Sequence, residues 1–251
     1  MAIPIAVQLY SVRDDCAKDF AGTLRAVAAM GYDGVELAGF HGFPASEIRG
    51  WLEETGLKVA GNHCGYQSLQ DERFDETIAF HQAIGCQNLV VPGLPEEMRA
   101  TASACQETAA WLTEIANKLR PLGLRTGFHC HSADMRPLED GRSAWDHLAA
   151  NTPDDFILQY DTSNGIHGGA DPVKPLLDWP GRGVTVHLKE YSGEGGSAVI
   201  GEGEVPWPAV FGACQDVAGT QWYIVEHEVY GDRTPLECID ACLKNLRGMG
   251  V

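Results

Sequence analysis

The chain alternates short apolar segments of strand-like composition with longer segments in which apolar residues recur at helical spacing. Most of the helical segments are followed by Gly or Pro, which are common helix stop signals. The predicted strands cover residues 5–11, 34–38, 58–63, 88–93, 125–129, 156–160, 184–186 and 222–225. The predicted helices cover residues 20–30, 45–55, 71–84, 96–119, 137–150, 171–178, 206–217 and 233–246.

Eight strand–helix pairs in 251 residues predict an α/β fold, a (β/α)8 TIM barrel formed as a single domain over residues 1–251. A doubly wound sheet fits less well, because it would want a glycine-rich turn after the first strand, where this chain has Ser11-Val-Arg-Asp-Asp. One long polar loop, residues 192–205, follows the seventh strand. Loops at that end of a barrel usually cover the substrate.

Three consecutive apolar strands end abruptly in a residue that can bind a divalent metal: Asp161, His187 and Glu226. The carboxyl ends of all barrel strands face one mouth, so these three side chains are expected to converge there. Mixed nitrogen and oxygen ligands suit Mn, Mg, Co, Fe or Zn, and the set needs no cysteine. The pattern therefore predicts an open catalytic site for one divalent metal ion.

Polar residues at the other strand ends could have either structural or functional roles. His63 is either a hydrogen-bonded structural residue or a site residue, and Glu36 could be half-buried and paired with Lys or Arg. Asp161, which precedes Thr-Ser-Asn, could also stabilise a turn. His129 and His131 lie two apart, as do His187 and Lys189, so each pair points to one side of its strand. The remaining polar residues at these ends are Gln8, Tyr10, Asn62 and Glu228.

Composition and charge narrow the classes of partner. The net charge of −17 argues against a nucleic-acid partner, which needs a concentrated basic surface. No stretch approaches the roughly 18 apolar residues that span a membrane, and the N-terminus is interpreted as a strand, not a signal peptide. The eight cysteines show no CxxC pair. We therefore expect a cytoplasmic protein with free thiols and no membrane association.

The chain resembles the xylose-isomerase-like TIM-barrel superfamily, in its sugar phosphate isomerase/epimerase group. The similarity runs in order from the first strand to the eighth and so covers the whole chain. Each stretch alone is modest, but their order and spacing are specific. The matching stretches are Val7-Gln-Leu-Tyr-Ser-Val-Arg, Gly31-Tyr-Asp-Gly-Val-Glu-Leu, Phe128-His-Cys-His, Tyr160-Asp-Thr-Ser-Asn, Gly169-Ala-Asp-Pro, Val186-His-Leu-Lys-Glu, Gly201-Glu-Gly-Glu-Val-Pro-Trp and Val225-Glu.

The resemblance implies one divalent metal held by ligands on strands five to eight, often Glu, Asp, His and Glu. The last three positions fall on Asp161, His187 and Glu226, and the first falls on His129. One subgroup reads Tyr-His-Asn-His with a Glu a few residues later. This chain has Asp134 after its His-Cys-His, so Asp134 is the alternative fourth ligand. The resemblance also implies a homo-oligomer.

The leading hypothesis is an isomerase or epimerase that acts on a sugar or keto-sugar through an enediolate. Glu226 would be a ligand and also a base, and Lys189 would polarise a carbonyl or stabilise an oxyanion. Glu36, with His63, would bind sugar hydroxyls or supply a second acid or base. Trp207 would close over the sugar face or pack in the core. Two further substrate-binding candidates are His131 and Asp134.

Three other functions stay open. A metal-dependent dehydratase or lyase of a keto-sugar or keto-inositol is a serious rival, because His129 replaces an acid/base glutamate. An endonuclease-IV-like repair enzyme would need more ligands and a basic face. A non-catalytic barrel would be expected to lose ligands. The substrate is expected to be a neutral sugar or polyol, because the glycine-rich loop carries Glu194, Glu202 and Glu204, which repel an anion.

Overall fold

A computed structural model describes residues 2–251 and contains eight parallel strands in one sheet. Their hydrogen-bonded order is β6-β5-β4-β3-β2-β1-β8-β7, so each strand lies beside its neighbours in sequence and the first lies beside the last. The predicted (β/α)8 barrel is confirmed. The strands are β1 Ile5–Gln8, β2 Gly34–Leu37, β3 Lys58–His63, β4 Asn88–Val91, β5 Arg125–His129, β6 Ile157–Gln159, β7 Thr185–Leu188 and β8 Trp222–Val225.

The described residues form ten α-helices around this sheet. Two of them, α2 and α3, have the predicted bounds, and both end at a glycine in the left-handed conformation, Gly31 and Gly56. The helices are α1 Arg13–Lys18, α2 Phe20–Met30, α3 Ala45–Thr55, α4 Asp71–Ala83, α5 Ala102–Leu119, α6 Ala144–Asn151, α7 Thr162–His167, α8 Lys174–Asp178, α9 Trp207–Ala213 and α10 Pro235–Gly248.

Helix starts differ from the prediction where a side chain caps the first turn. The predicted helix over residues 137–150 begins only at Ala144, because the Ser143 hydroxyl accepts a hydrogen bond from Asp146 N at 3.1 Å. The predicted helix over 96–119 becomes a 3-10 turn and then α5, which Thr101 caps. Two short helices, α1 and α7, were not predicted, since six residues carry too little periodicity to detect.

The barrel closes between β6 and β7. The strands meet through one parallel bridge, Asp161 with His187, and His187 N donates to Tyr160 O at 2.9 Å. Leu158 N donates to Arg182 O, also at 2.9 Å, at the lower end of the same seam. Two of the predicted metal ligands therefore lie on the seam that completes the barrel.

The inner face of the barrel is apolar at its base and polar at its mouth. Ala6 and Ile224 belong to a small buried cluster with Ala60, on which Trp222 packs. They lie two residues before Gln8 and Glu226, so each pair shares one side of its strand. The larger core lies between strands and helices and includes seven of the eight cysteines. All eight are buried and free, as expected. Across residues 2–251, no helix has the length and apolar character needed to cross a bilayer.

Candidate metal centre and its surroundings

Four of the predicted ligands come together at the barrel mouth. His129 ends β5, Asp161 follows β6, His187 lies in β7 and Glu226 follows β8. One ligand atom from each lies within 4.8 Å of the others, and all four residues are buried. The strands end where these polar residues begin, so the short parallel ladder delivers each side chain to the same point.

Asp161 caps α7 and also presents an oxygen to the site. Its Oδ1 accepts from Asn164 N at 2.7 Å, so the turn-forming interpretation is correct for one oxygen. Its Oδ2 is buried without a hydrogen-bond partner and lies 4.0 Å from His187 Nδ1. Burial raises the pKa of Asp161 to about 6. A buried carboxylate oxygen without a partner is costly, and a cation would satisfy it.

His187 lies between two carboxylates. Its Nδ1 is 2.5 Å from Glu226 Oε2, and its Nε2 is 2.6 Å from Glu36 Oε2. Burial alone would lower the pKa of His187, but Glu36 and Glu226 raise this pKa to about 10. Without a metal the ring is therefore an imidazolium that bridges the two acids. With a metal, Nδ1 is the nitrogen that faces the other ligands.

Glu36 does not lie at the open mouth, where its predicted acid/base role would require it. The side chain is fully buried and both oxygens are occupied. Oε1 accepts from Gln159 Nε2 at 2.7 Å, and Oε2 accepts from Gln8 Nε2 at 2.7 Å and from His187. It is paired with histidine and amides, not with the expected Lys or Arg. Burial alone would raise the pKa of Glu36, but His63 and His187 lower this pKa. The Glu36 side chain therefore lies as a carboxylate beneath the four candidate ligands.

Gln159 is the residue of this site that the sequence interpretation missed. Its apolar neighbours predict an apolar strand, although Gln159 lies two residues before Asp161 and therefore on the same face. Its Oε1 lies 2.8 Å from His63 Nε2 and 3.1 Å from His129 Nδ1. A fully buried glutamine inside an apolar strand is the signal that could have identified it.

A cavity of about 440 Å³ opens above the ligands. Lys189 lies beside it and contacts both Glu226, at 3.3 Å, and Glu228. Burial alone would lower the pKa of Lys189, but the surrounding carboxylates, mainly Glu226, raise this pKa. The ammonium therefore keeps its charge. The cavity walls are formed by Tyr10, Ala38, Gly39, His63, Pro92, His129, His131, Glu226 and Glu228.

Two of the predicted substrate-binding residues lie elsewhere. Asp134 is buried, 3.0 Å from Arg99 and bonded to the backbone N–H of His131 at 2.7 Å, so it is outside the ligand cluster that includes His129. Trp207 is 4% exposed, and its indole N–H donates to Glu190 at 2.9 Å. The packing interpretation of Trp207 is the one that its contacts support.

Glu190, which the sequence interpretation did not single out, organises the loop after β7. Besides Trp207, its carboxylate accepts from the backbone N–H groups of Tyr191, Gly201 and Val205 at 2.7 to 3.1 Å. One buried acid thus ties both ends of the long polar loop to the start of α9. This loop borders a second cavity of about 200 Å³ that Lys189 and Glu228 also line.

The residues present fit a divalent metal. The unpartnered Oδ2 of Asp161, the Nδ1 of His187 and a carboxylate oxygen of Glu226 form a mixed nitrogen and oxygen set of the kind that such ions accept. His129 supplies a fourth atom, and burial lowers its pKa well below the usual range, which keeps the ring neutral as a ligand must be.

Comparisons with known proteins agree with this architecture. The family model described as xylose isomerase-like TIM barrel matches residues 24–246. Inosose dehydratase of Geobacillus kaustophilus is 22% identical over 244 residues, covering 82% of this chain and 79% of that protein. Rhizopine catabolism protein MocC of Rhizobium meliloti is 22% identical over 271 aligned positions, covering 91% of this chain and 82% of that protein.

Solved structures show the same fold over nearly the whole chain. A sugar phosphate isomerase/epimerase from Parabacteroides distasonis superposes with a TM-score of 0.85 and 24% sequence identity, and the match covers 98% of each chain. At this level of identity the likeness establishes the fold.

Proposed function

Because the chain belongs to the xylose isomerase-like TIM barrel family, we propose that it is a metal-dependent isomerase or epimerase of a neutral sugar or keto-sugar. The observation that carries this proposal is the convergence of four ligand atoms below an open cavity. The unpartnered oxygen of Asp161 points to a cation at their centre. The solved relative named as a sugar phosphate isomerase/epimerase supports the reaction class.

His129, Asp161, His187 and Glu226 would hold the metal. When bound, a divalent ion supplies Lewis-acid chemistry, which polarises adjacent substrate oxygens and makes the neighbouring C–H more acidic. Glu226 would accept the proton removed from substrate carbon. Burial alone would raise the pKa of Glu226, but Lys189 and His187 hold this pKa well below its usual range. The carboxylate is therefore ionised at neutral pH. Lys189 lies beside it to stabilise negative charge that develops on oxygen.

The charges around the cavity favour a neutral substrate. Glu226 and Glu228 both face the cavity, and the Lys189 ammonium beside them is already ion-paired with both. A phosphate group would need unpaired cations or a nest of backbone N–H groups. His63 and His131 line the cavity and would donate to or accept from hydroxyl groups.

A dehydratase of a keto-polyol is the second candidate, and the chemistry of His129 favours it. Epimerisation by two bases needs a second proton acceptor and donor across from Glu226, and the residue there is a buried histidine whose pKa burial lowers well below the usual range. Dehydration needs a single residue, which removes the carbon-bound proton and can return it to the departing β-hydroxyl group, so that water leaves. The similarity to inosose dehydratase supports the same choice.

The test combines metal analysis of the purified chain with proton exchange in D₂O against a panel of ketoses and keto-inositols. We expect about one divalent ion per chain and metal-dependent uptake of deuterium. Uptake without water loss would support the isomerase or epimerase, whereas water loss would select the dehydratase. A chain that neither retains nor responds to divalent metal would contradict both.

Glu226→Gln and Glu228→Gln provide a matched pair. Both side chains contact Lys189, but only Glu226 belongs to the ligand cluster. We expect Glu226→Gln to lose metal and exchange activity, whereas Glu228→Gln should retain the metal. Equal metal content in the two variants would show that Glu226 is not a ligand.

A further inference from the structure

We propose that Glu36 and Gln159 form a buried pair that sets which ring nitrogen of His187 and of His129 is free to bind the metal. The inference rests on the proposed function, because it assigns roles to residues beneath the proposed metal centre. Both side chains are fully buried and point into the barrel below the ligands. Glu36 and Gln159 are positioning residues, since they contact the ligand histidines.

The orientation of the Gln159 amide follows from its partners. Its Nε2 lies 2.7 Å from Glu36 Oε1 and 2.9 Å from Thr185 Oγ1. An ionised carboxylate only accepts hydrogen bonds, so the atom that faces Glu36 must be the amide NH₂. The carbonyl oxygen of Gln159 therefore faces the other way, toward His63 and His129.

That carbonyl oxygen decides the protonation of His129. It lies 3.1 Å from His129 Nδ1, and a carbonyl can only accept. His129 must therefore carry its proton on Nδ1, and a neutral ring has only one such proton. The lone pair of His129 Nε2 is left free for a metal.

Glu36 acts on His187 in the same way but through the opposite nitrogen. Its Oε2 lies 2.6 Å from His187 Nε2, which donates to it. This contact holds a proton on Nε2 and leaves Nδ1 for the metal, facing Glu226 and Asp161. A carboxylate that accepts from the distal N–H of a ligand histidine fixes the ring orientation and raises its basicity.

The chain of contacts gives each ligand histidine a different free nitrogen. Gln8 Nε2 donates to Glu36 Oε2 at 2.7 Å, and the carbonyl of Gln8 accepts from Tyr10 N at 3.0 Å, so its amide orientation is also determined. Every polar atom of Glu36 and Gln159 has a partner within the barrel. A fully satisfied buried network of this kind is rigid, because any rotation leaves a polar group unpaired.

The experiment is a long-range ¹H–¹⁵N correlation spectrum of the full chain with ¹⁵N-labelled histidine, recorded without metal and with Zn²⁺. We expect His129 to carry its proton on Nδ1 in both states. We expect His187 to carry a proton on Nε2 in both states, held by Glu36, and to carry none on Nδ1 once Zn²⁺ is bound. A His129 ring protonated on Nε2 without metal would overturn the inference.

Variants then test the cause. Gln159→Met removes the acceptor, so His129 should exchange between tautomers and the Zn²⁺ Kd should rise by about 10- to 100-fold. Glu36→Gln should raise the Kd similarly through His187. The control is Thr126→Val, which also removes one buried barrel hydrogen bond, from Thr126 to Leu89 O at 2.9 Å, but touches neither histidine.

An unchanged His129 tautomer together with an unchanged Zn²⁺ Kd in Gln159→Met would refute the proposal. A wild-type chain that binds no Zn²⁺, Mn²⁺ or Mg²⁺ would instead refute the proposed function, and the His129 tautomer would still decide the inference. If Gln159→Met does not fold, the wild-type spectra and Glu36→Gln provide the decision.

Discussion

At the residue scale, the two oxygens of Asp161 have separate tasks. Oδ1 caps α7 by accepting from Asn164 N, and Oδ2 has no partner among the described residues. The same side chain therefore ends β6, starts α7 and offers a ligand. A cap is worth about 1 kcal/mol in most helices, whereas an unpaired buried carboxylate costs stability.

Asp161→Asn should separate these tasks. The amide carbonyl can still accept from Asn164 N, and an NH₂ group replaces the ligand oxygen. We expect the metal-free variant to be at least as stable as the wild type toward urea, because a buried charge is removed, and to bind metal far more weakly. Asp161→Ala, which loses the cap as well, should cost about 0.5–2 kcal/mol of unfolding free energy relative to Asp161→Asn. Wild-type metal affinity in Asp161→Asn would contradict this assignment.

His187 gives the metal-free protein a specific pH dependence. Its pKa is raised from 6.5 to about 10 by Glu36 and Glu226, against the effect of burial. A raised histidine pKa means that the folded state binds the proton more tightly than the unfolded state. This stabilisation is complete below about pH 6.5 and is lost as the pH rises to about 10. Urea titrations across that range should show the decline in wild type and a flatter profile in His187→Gln, with exposed His167→Gln as the control.

At the scale of single elements, a glycine in β3 lets a buried side chain of the neighbouring strand β2 approach its backbone closely. Gly61 in β3 pairs with Glu36 in β2 after a register shift. A Cβ added to Gly61 would lie 2.9 Å from Glu36 Oε1 and 3.3 Å from Asn88 O. The absent side chain leaves room for the buried carboxylate on which His187 depends.

Gly61→Ala should therefore displace Glu36 and weaken metal binding. We expect it to cost about 1–3 kcal/mol of unfolding free energy, as overpacking typically does. Gly50→Ala is the matched control, because Gly50 lies exposed within α3 and an added Cβ meets nothing within 4 Å. It should stabilise the protein by about 0.5–1 kcal/mol. Chemical denaturation and Zn²⁺ titration of both variants measure this, and a neutral Gly61→Ala would count against the close approach.

At the scale of the whole molecule, the seam between β6 and β7 joins fold and site. The strands meet through Asp161 and His187, two of the four proposed ligands. A metal held by both residues would tie the two edges of the sheet together. The site would then be part of what keeps the barrel closed.

Metal should stabilise the whole barrel and not only its mouth. At a free concentration of about 100 times Kd, a ligand that binds only the folded state adds about 2.7 kcal/mol. We expect a corresponding rise in Tm and slower hydrogen exchange in β6 and β7, with neither effect in Asp161→Asn. A rise in Tm without added protection at the seam would show that the metal does not bridge it.

Much of this architecture was predictable because the strands and several helix ends depend on neighbouring residues in the sequence. Short apolar runs of strand-like composition located all eight strands, and glycines in the left-handed conformation ended α2 and α3 where predicted. The short helix α7 and the late start of α6 depend on single capping contacts, which composition does not reveal. Helix α1 begins without a side-chain cap, and its six residues are too few to show a periodicity. The convergence of His129, Asp161, His187 and Glu226 was predictable, since barrel topology places the ends of the strands together.

The chain's own pattern thus determined the barrel and the residues at its mouth, because short apolar runs and helical periodicity alternate along the sequence. Only the tertiary structure decided how deep each polar side chain lies. Glu36 and Trp207 look like mouth residues in sequence but are buried, and Gln159 looks like part of an apolar strand but contacts two histidines. Depth and hydrogen-bond partners depend on strand register and stagger around a closed barrel, which arise from contacts between residues far apart in the chain.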